Sequence, residues 1–130
     1  MRFLDLNGKS HIFNFTKNCR ENSVPSGLHI KARKLIQTAF PSSSIYEEVN
    51  LLGTGLIIDF FIPDLLIGLE VHGEQHYKFV KRFHKTVGGF VASQKRDRMK
   101  QEWCEINDVI YVELPFNKID EWRSIVKGAL

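Results

Sequence analysis

The stretch from Leu56 to His76, LIIDFFIPDLLIGLEVHGEQH, sets two strongly apolar runs on either side of Pro63-Asp64 and places Asp59 and Glu70 inside them. Each run has the length and the β-branched or aromatic content of a buried strand, and the Pro-Asp pair marks a turn between them. A carboxylate in a buried strand is costly unless its charge is compensated. A divalent cation is the usual compensation, and Mg²⁺ prefers carboxylate oxygens. Alternation along the second run predicts Glu70 and His72 on one face and Val71 on the other.

The surrounding charge is sharply segregated. From Pro41 to Tyr77 there is no Lys or Arg, but there are Glu47, Glu48, Asp59, Asp64, Glu70 and Glu74. Residues 1–40 hold seven basic residues (Arg2, Lys9, Lys17, Arg20, Lys31, Arg33, Lys34) against Asp5 and Glu21. Residues 78–100 hold eight (Lys78, Lys81, Arg82, Lys85, Lys95, Arg96, Arg98, Lys100) against Asp97 alone. The net charge of +3 is small, yet segregation of this kind raises the local potential. Solvated helix faces would also produce such runs. An acidic centre framed by basic segments, however, is what chemistry on nucleic-acid phosphates requires.

With 130 residues, the chain is read as a single domain. No apolar run approaches the roughly 20 residues of a membrane span, and the N-terminus lacks the apolar core of a signal peptide. Cys19 and Cys104 stand apart without CxxC spacing. They are read as free thiols of a reducing cytoplasm rather than as zinc ligands.

Local signals give the order of elements. Arg2 to Phe15 alternates around Asn7-Gly8, a hairpin signature. Residues 18–25 read as a linker. Ser26-Gly27 opens a helix to about Phe40, with Leu28, Ala32, Leu35, Ile36 and Ala39 at helical spacing, and Pro41 stops it. Strands are predicted over 45–51, 56–62 and 66–71. From His76 to Gly89 aromatic and basic residues alternate, and Gly88-Gly89 is expected to break the run. A helix follows over 90–107, with Val91, Met99, Trp103 and Ile106 as its apolar stripe. A strand over 109–114 and a helix over 119–130 complete the chain. The expected fold is α/β, a mixed sheet flanked by helices with an N-terminal β-hairpin addition.

Asp59, Glu70-Val71-His72 after ten intervening residues, and a preceding helix resemble the PD-(D/E)XK nuclease superfamily. Asp-Phe-Phe-Ile-Pro at 59–63 and Glu-Val-His-Gly-Glu-Gln-His at 70–76 resemble its Vsr-like branch. That branch includes very-short-patch repair endonucleases and the EDxHD homing endonucleases of phages. Asp97 fits the last acidic position of the pattern. The resemblance covers about residues 26–116, leaving 1–20 as an N-terminal hairpin extension and 117–130 as a C-terminal helix. It implies a restriction-endonuclease-like αβββαβ core. The superfamily's Lys is absent and His72 stands in its place. Ile58 replaces the Pro before Asp59. His29 stands near the position of the first-helix Glu, so Glu47 or Glu48 is expected as the additional acidic partner.

The resemblance implies a metal-dependent endonuclease that hydrolyses DNA, double-stranded and in some cases branched or mismatched, with Mg²⁺ or Mn²⁺. Asp59, Glu70 and the carbonyl of Val71 would be the metal ligands, and His72 the general base. His76 would protonate the leaving 3′ oxygen or hold the scissile phosphate. Asp97 would orient a histidine, bind a second metal or pair with Arg96, Arg98 or Lys100. Gln75, Lys78, Lys81, Arg82, Lys95, Arg96, Arg98 and Lys100 are candidate nucleic-acid contacts. A monomer would nick one strand and a homodimer could cut both. A phage enzyme would work in the cytoplasm of a bacterial host.

Other readings remain open at this point. Asp59 could cap a turn at a strand end, and Glu70 could pair with a helix Lys or Arg. The whole chain could be a nucleic-acid-binding module without catalysis. His72-Gly73-Glu74-Gln75-His76 does not fit a zinc peptidase, whose HExxH motif needs Glu directly after the first His.

Overall fold

The computed structural model describes residues 1–15 and 26–130. The expected linker over 18–25 and Cys19 lie outside these residues. The hairpin forms as expected, with β1 (Arg2–Leu4) antiparallel to β2 (Ser10–Ile12). Asp5 holds its turn: Oδ1 accepts from the backbone N–H of Asn7 and of Lys9, both at 2.9 Å. Gly8 takes the positive φ that the turn needs. Phe3 and Phe13 are buried, and the Phe3 ring lies 5.3 Å from Trp103 and 5.6 Å from Phe61. The hairpin therefore caps the sheet.

Helix α1 (Gly27–Ala39) starts at Ser26, whose Oγ accepts from the His29 N–H at 3.1 Å, an N-cap. Its buried face is His29, Ala32 and Ile36. Ala39 is exposed, and Phe40 fills the core position expected of it. Strands β3 (Tyr46–Leu51), β4 (Leu56–Ile62), β5 (Ile67–His72) and β6 (Ile110–Pro115) make one sheet in the order β3-β4-β5-β6. The first three are antiparallel neighbours, and β6 runs parallel to β5. A one-turn helix α2 (Lys81–His84) and the long helix α3 (Val87–Ile106) make the crossover. A 3₁₀ turn (Phe116–Glu121) and helix α4 (Trp122–Gly128) follow, so the last helix begins later than the sequence suggests. The fold is mixed α/β, as expected.

Two cores result. Ala32 and Ile36 of α1 and Trp122 and Val126 of α4 cover one face with Phe60, Ile62, Leu69 and Leu114. On the other, Trp103 and Cys104 of α3 and the hairpin phenylalanines pack on Val49, Leu51, Ile58 and Phe61. Ile58 and Phe60 thus belong to opposite faces although they are two residues apart, so strict alternation breaks at Asp59. Glu48, with φ of +49°, lies at the same level of β3, between the Glu47–Phe60 and Val49–Ile58 pairs. Asp59 is therefore in mid-strand at a local irregularity, not at a strand end.

Gly88-Gly89 does not break α3. Both lie in its first turn, where Thr86 is the N-cap and its Oγ1 accepts from the Gly89 N–H at 3.0 Å. Gly89 is there for space: a Cβ would fall 2.3 Å from the carbonyl oxygen of His84. The predicted apolar stripe is also only half right. Trp103 is buried, but Val91 and Ile106 are exposed, because the middle of the inward face is polar: Asp97 is buried there and Lys100 is largely so. No helix among the described residues is long and apolar enough to cross a membrane.

The close approach at Gly89 has a measurable consequence. Gly89→Ala should lower stability by about 1–3 kcal/mol, the usual cost of overpacking against a fixed backbone atom. Urea unfolding of the two proteins checks this, and an unchanged midpoint would mean that α2 and α3 are not packed as described.

Candidate active site

The strand irregularity borders a cleft of about 640 Å³ lined by Glu48, Asp59, Glu70, Val71, Gln75, His76 and Lys100, among others. The β4–β5 ladder pairs Phe60 with Leu69 and goes no further toward Asp59. There the Asp59 side chain takes over: its Oδ2 accepts from the Val71 N–H at 2.8 Å. The same bond draws Asp59 toward Glu70.

Glu70 is only 1% exposed. Lys100 brings its Nζ to 2.8 Å from Glu70 Oε1, yet this oxygen lacks a well-aligned hydrogen bond. Burial raises the Glu70 pKa well above the usual carboxylate range, the nearby Asp59 carboxylate adds to the rise, and Lys100 opposes it. The helix ion pair considered for Glu70 is thus present. Among the described residues it sets the adjacent carboxylates of Asp59 and Glu70 beside the Lys100 ammonium, with Glu48 lining the same cleft. Lys100, read from the sequence as a phosphate contact, sits inside the acidic cluster.

The adjacent acids Glu47 and Glu48 separate. Arg33 grips Glu47 through Nε at 2.9 Å and Nη2 at 2.8 Å, and His29 Nε2 lies 2.7 Å from it. Burial acts to raise the Glu47 pKa, but Arg33 and His29 outweigh it and the net shift is downward. Glu47 therefore clamps α1 to β3, while Glu48 borders the cleft.

The two histidines divide in the same way. His72 is buried, with Nδ1 3.1 Å from Glu113 Oε1 and Nε2 3.1 Å from the Tyr111 hydroxyl. Since the carboxylate can only accept, Nδ1–H donates to it and the Tyr111 O–H donates to Nε2. Tyr77 also donates to Glu113. Burial, then the neighbouring His76, hold the His72 pKa below its ordinary value. His72 does not border the carboxylate cleft; His76 does. The expectation that His72 reaches a water held by Glu70 is thereby corrected, because both of its nitrogens are engaged by Glu113 and Tyr111 and it does not line that cleft. His76 Nδ1 donates to Asp97 Oδ2 at 2.9 Å. Burial works to raise the Asp97 pKa, and the bond and charge of His76 bring it below the usual value. Of the alternatives for Asp97, the structure selects the orientation of His76.

His72, His76 and Asp97 offer ligand atoms within 4.8 Å of one another, but they do not suit one metal ion. The imidazoles stack face to face, 4.3 Å apart and 8° from parallel. Ring lone pairs lie in the ring planes, so an ion in the plane of one is out of the plane of the other. The carboxylate cluster fits a metal better. Among the described residues it offers hard oxygen donors and a Glu70 oxygen that is buried beside Lys100 without a well-aligned hydrogen bond.

Among the other predicted contacts, Gln75 and Arg82 border the cleft. Lys78 pairs with Glu74 at 2.8 Å, and Lys81, Lys95, Arg96 and Arg98 are exposed. The sequence reading missed Tyr111 and Glu113. Their signal is alternation in β6, where Val112 and Leu114 face the core and Glu113 lies beside Glu70 in the parallel register.

Lys100→Met should expose the role of the ion pair. The folded state holds the Glu70 proton more tightly than the unfolded chain, so this site costs stability as pH rises above the ordinary carboxylate range. Without Lys100 that cost grows. The variant should lose about 3 kcal/mol in metal-free buffer at alkaline pH, where Glu70 is charged, and distinctly less at acid pH, where protonation of Glu70 removes the charge that Lys100 compensates. Urea unfolding in both ranges reads this directly; a pH-independent difference would show that Lys100 does not compensate Glu70.

No family model matches the chain, and no solved structure matches it. It is 42% identical over 65 residues to the uncharacterized protein 307L of Invertebrate iridescent virus 6, covering 50% of this chain and 33% of that one. It is 29% identical over 92 residues to the uncharacterized protein 033L of Invertebrate iridescent virus 3, covering 67% of this chain and 47% of that one. The matches thus span a third to about half of the length of these curated relatives.

Proposed function

We propose that the chain is a metal-dependent DNA endonuclease of the PD-(D/E)XK type, Vsr-like branch. One observation carries the reading most: Asp59 and the buried Glu70 share a cleft where the β4–β5 ladder ends, with Lys100 paired to Glu70 and a histidine-aspartate pair on its border. The element order α1-β3-β4-β5-α3-β6 supports it. So does the basic composition of residues 78–100, which suits contact with DNA phosphates.

Mg²⁺ or Mn²⁺ would be held by Asp59 and Glu70, with Glu48 as the additional acid and Val71 beside them. When bound, the cation supplies positive charge to the scissile phosphate and acidifies water. His76 acts as general base in place of His72. Its Nδ1–H is fixed by Asp97, which leaves Nε2 as the proton acceptor. It removes a proton from the attacking water as oxygen bonds to phosphorus. The P–O3′ bond breaks, the 3′ oxygen takes up a proton from solvent while His76 releases to solvent the one it accepted, and the products are a 5′-phosphate and a 3′-hydroxyl. Lys100 offsets negative charge at the reacting phosphate. His72, held by Glu113 and Tyr111, supports the His76 ring from behind. Similarity to chains of two invertebrate viruses favours a virus-encoded enzyme over a phage one.

A second reading, a nucleic-acid-binding module without catalysis, draws on the Glu70–Lys100 pair, which gives Glu70 a counter-charge without a metal. Supercoiled plasmid separates the two. With Mg²⁺ or Mn²⁺ the protein should nick it, EDTA should stop the reaction, and Asp59→Asn and His76→Ala should each slow it about a hundredfold or more. Failure to cut plasmid, mismatched and branched DNA would favour the binding module. Full activity of His76→Ala would remove His76 as the base.

A further inference from the structure

We propose that the segment from Val80 to Lys85 is a preformed stacking platform for an unpaired nucleobase, centred on the ring of Phe83. The inference rests on the nuclease reading for the location of the scissile phosphate, and names the substrate class: DNA with unpaired nucleotides beside the cleavage site.

Phe83 is 53% exposed and borders the cleft that holds Asp59 and Glu70. Isolated exposed apolar residues need no explanation, but this one is held in place by its surroundings. The Val80 N–H donates to His84 Nδ1 at 2.9 Å. The His84 ring stacks on Phe79 at 5.9 Å and meets the edge of Phe90 at 5.1 Å. Gly89, without a Cβ, lets α3 approach the His84 carbonyl. The inner residues of this segment thus fix its shape while Phe83 is turned outward.

The charge around the ring selects the occupant. The Arg82 guanidinium carbon lies over one face of the Phe83 ring, 4.9 Å from its centroid, and Arg82 borders the same cleft. Lys81 and Lys85 flank the pair and are exposed. A half-exposed ring backed on one face by a guanidinium, with further cations nearby, matches a base with its phosphates. In a paired duplex the faces of each base are covered by its neighbours, so a ring on a cleft wall can meet a base face only where a nucleotide is unstacked. An apolar peptide would leave the cations without partners.

The test measures binding in EDTA, where no strand is cut. A labelled hairpin carrying unpaired bases and a fully paired duplex of the same composition are titrated with the full chain and with Phe83→Leu and Phe83→Trp. Leu retains apolar bulk and Trp retains a ring. Phe83→Leu should weaken binding of the unpaired substrate about tenfold and leave duplex binding unchanged, while Phe83→Trp restores it. Equal loss on both substrates, or no loss on either, overturns the proposal. The plasmid assay is read separately. Cleavage without stacking selectivity leaves the nuclease and removes the platform. Selectivity without cleavage of any DNA leaves the platform on a protein that only binds.

Discussion

The rest of the structure is arranged around Glu70, a carboxylate almost wholly buried next to a second one, Asp59, with Lys100 as its counter-charge. A group so placed would ordinarily be expelled from a sheet interior, since desolvation of a charge exceeds what one ion pair returns. Keeping it there constrains the neighbouring elements. The β4–β5 ladder ends beside it, and Asp59 accepts the Val71 N–H in place of a backbone carbonyl. Alternation slips at Asp59, and Glu48 adopts a positive φ at the same level of the adjoining strand. Helix α3 must present a cation, so its inward face is polar at Asp97 and Lys100 and apolar only further along. The aromatic cluster of Phe3, Phe13, Phe61 and Trp103 supplies packing at the far end of the same face.

A second polar group adjoins the first. Glu113 and Tyr111 fix the tautomer and orientation of His72, and His72 stacks on His76, which Asp97 holds from the other side. The arrangement gives two histidines four residues apart different work. One is buried with both nitrogens bonded, and the other borders the cleft with one nitrogen anchored. The division follows from position alone: His72 ends a strand within the sheet, whereas His76 lies in the 3₁₀ turn Glu74–His76 that follows it.

Much of this was legible in the chain. Asn7-Gly8 marks the hairpin, Ser26 the start of α1, and the apolar runs around Pro63-Asp64 the central strands. Each depends on a few consecutive residues whose φ/ψ preferences and side-chain period act locally. The reading failed where a local rule met a tertiary one. Gly88-Gly89 looks like a helix breaker, but glycine costs little in a capped first turn, and the His84 carbonyl requires the missing Cβ. Val91 and Ile106 fit an apolar stripe, but the sheet face opposite α3 carries the acidic centre, so the stripe is interrupted.

The sequence by itself determined the order of elements, the acidic strands free of Lys and Arg, and the basic segments around them, because periodicity, turn chemistry and charge are properties of neighbours in the chain. Only the tertiary structure decided that Glu48 and not Glu47 borders the cleft, that His76 and not His72 does so, and that Lys100 joins Glu70. Those choices depend on a slip in strand alternation and on contacts between a sheet and a helix far apart in the chain, where one residue's position along the chain does not fix the direction of its side chain.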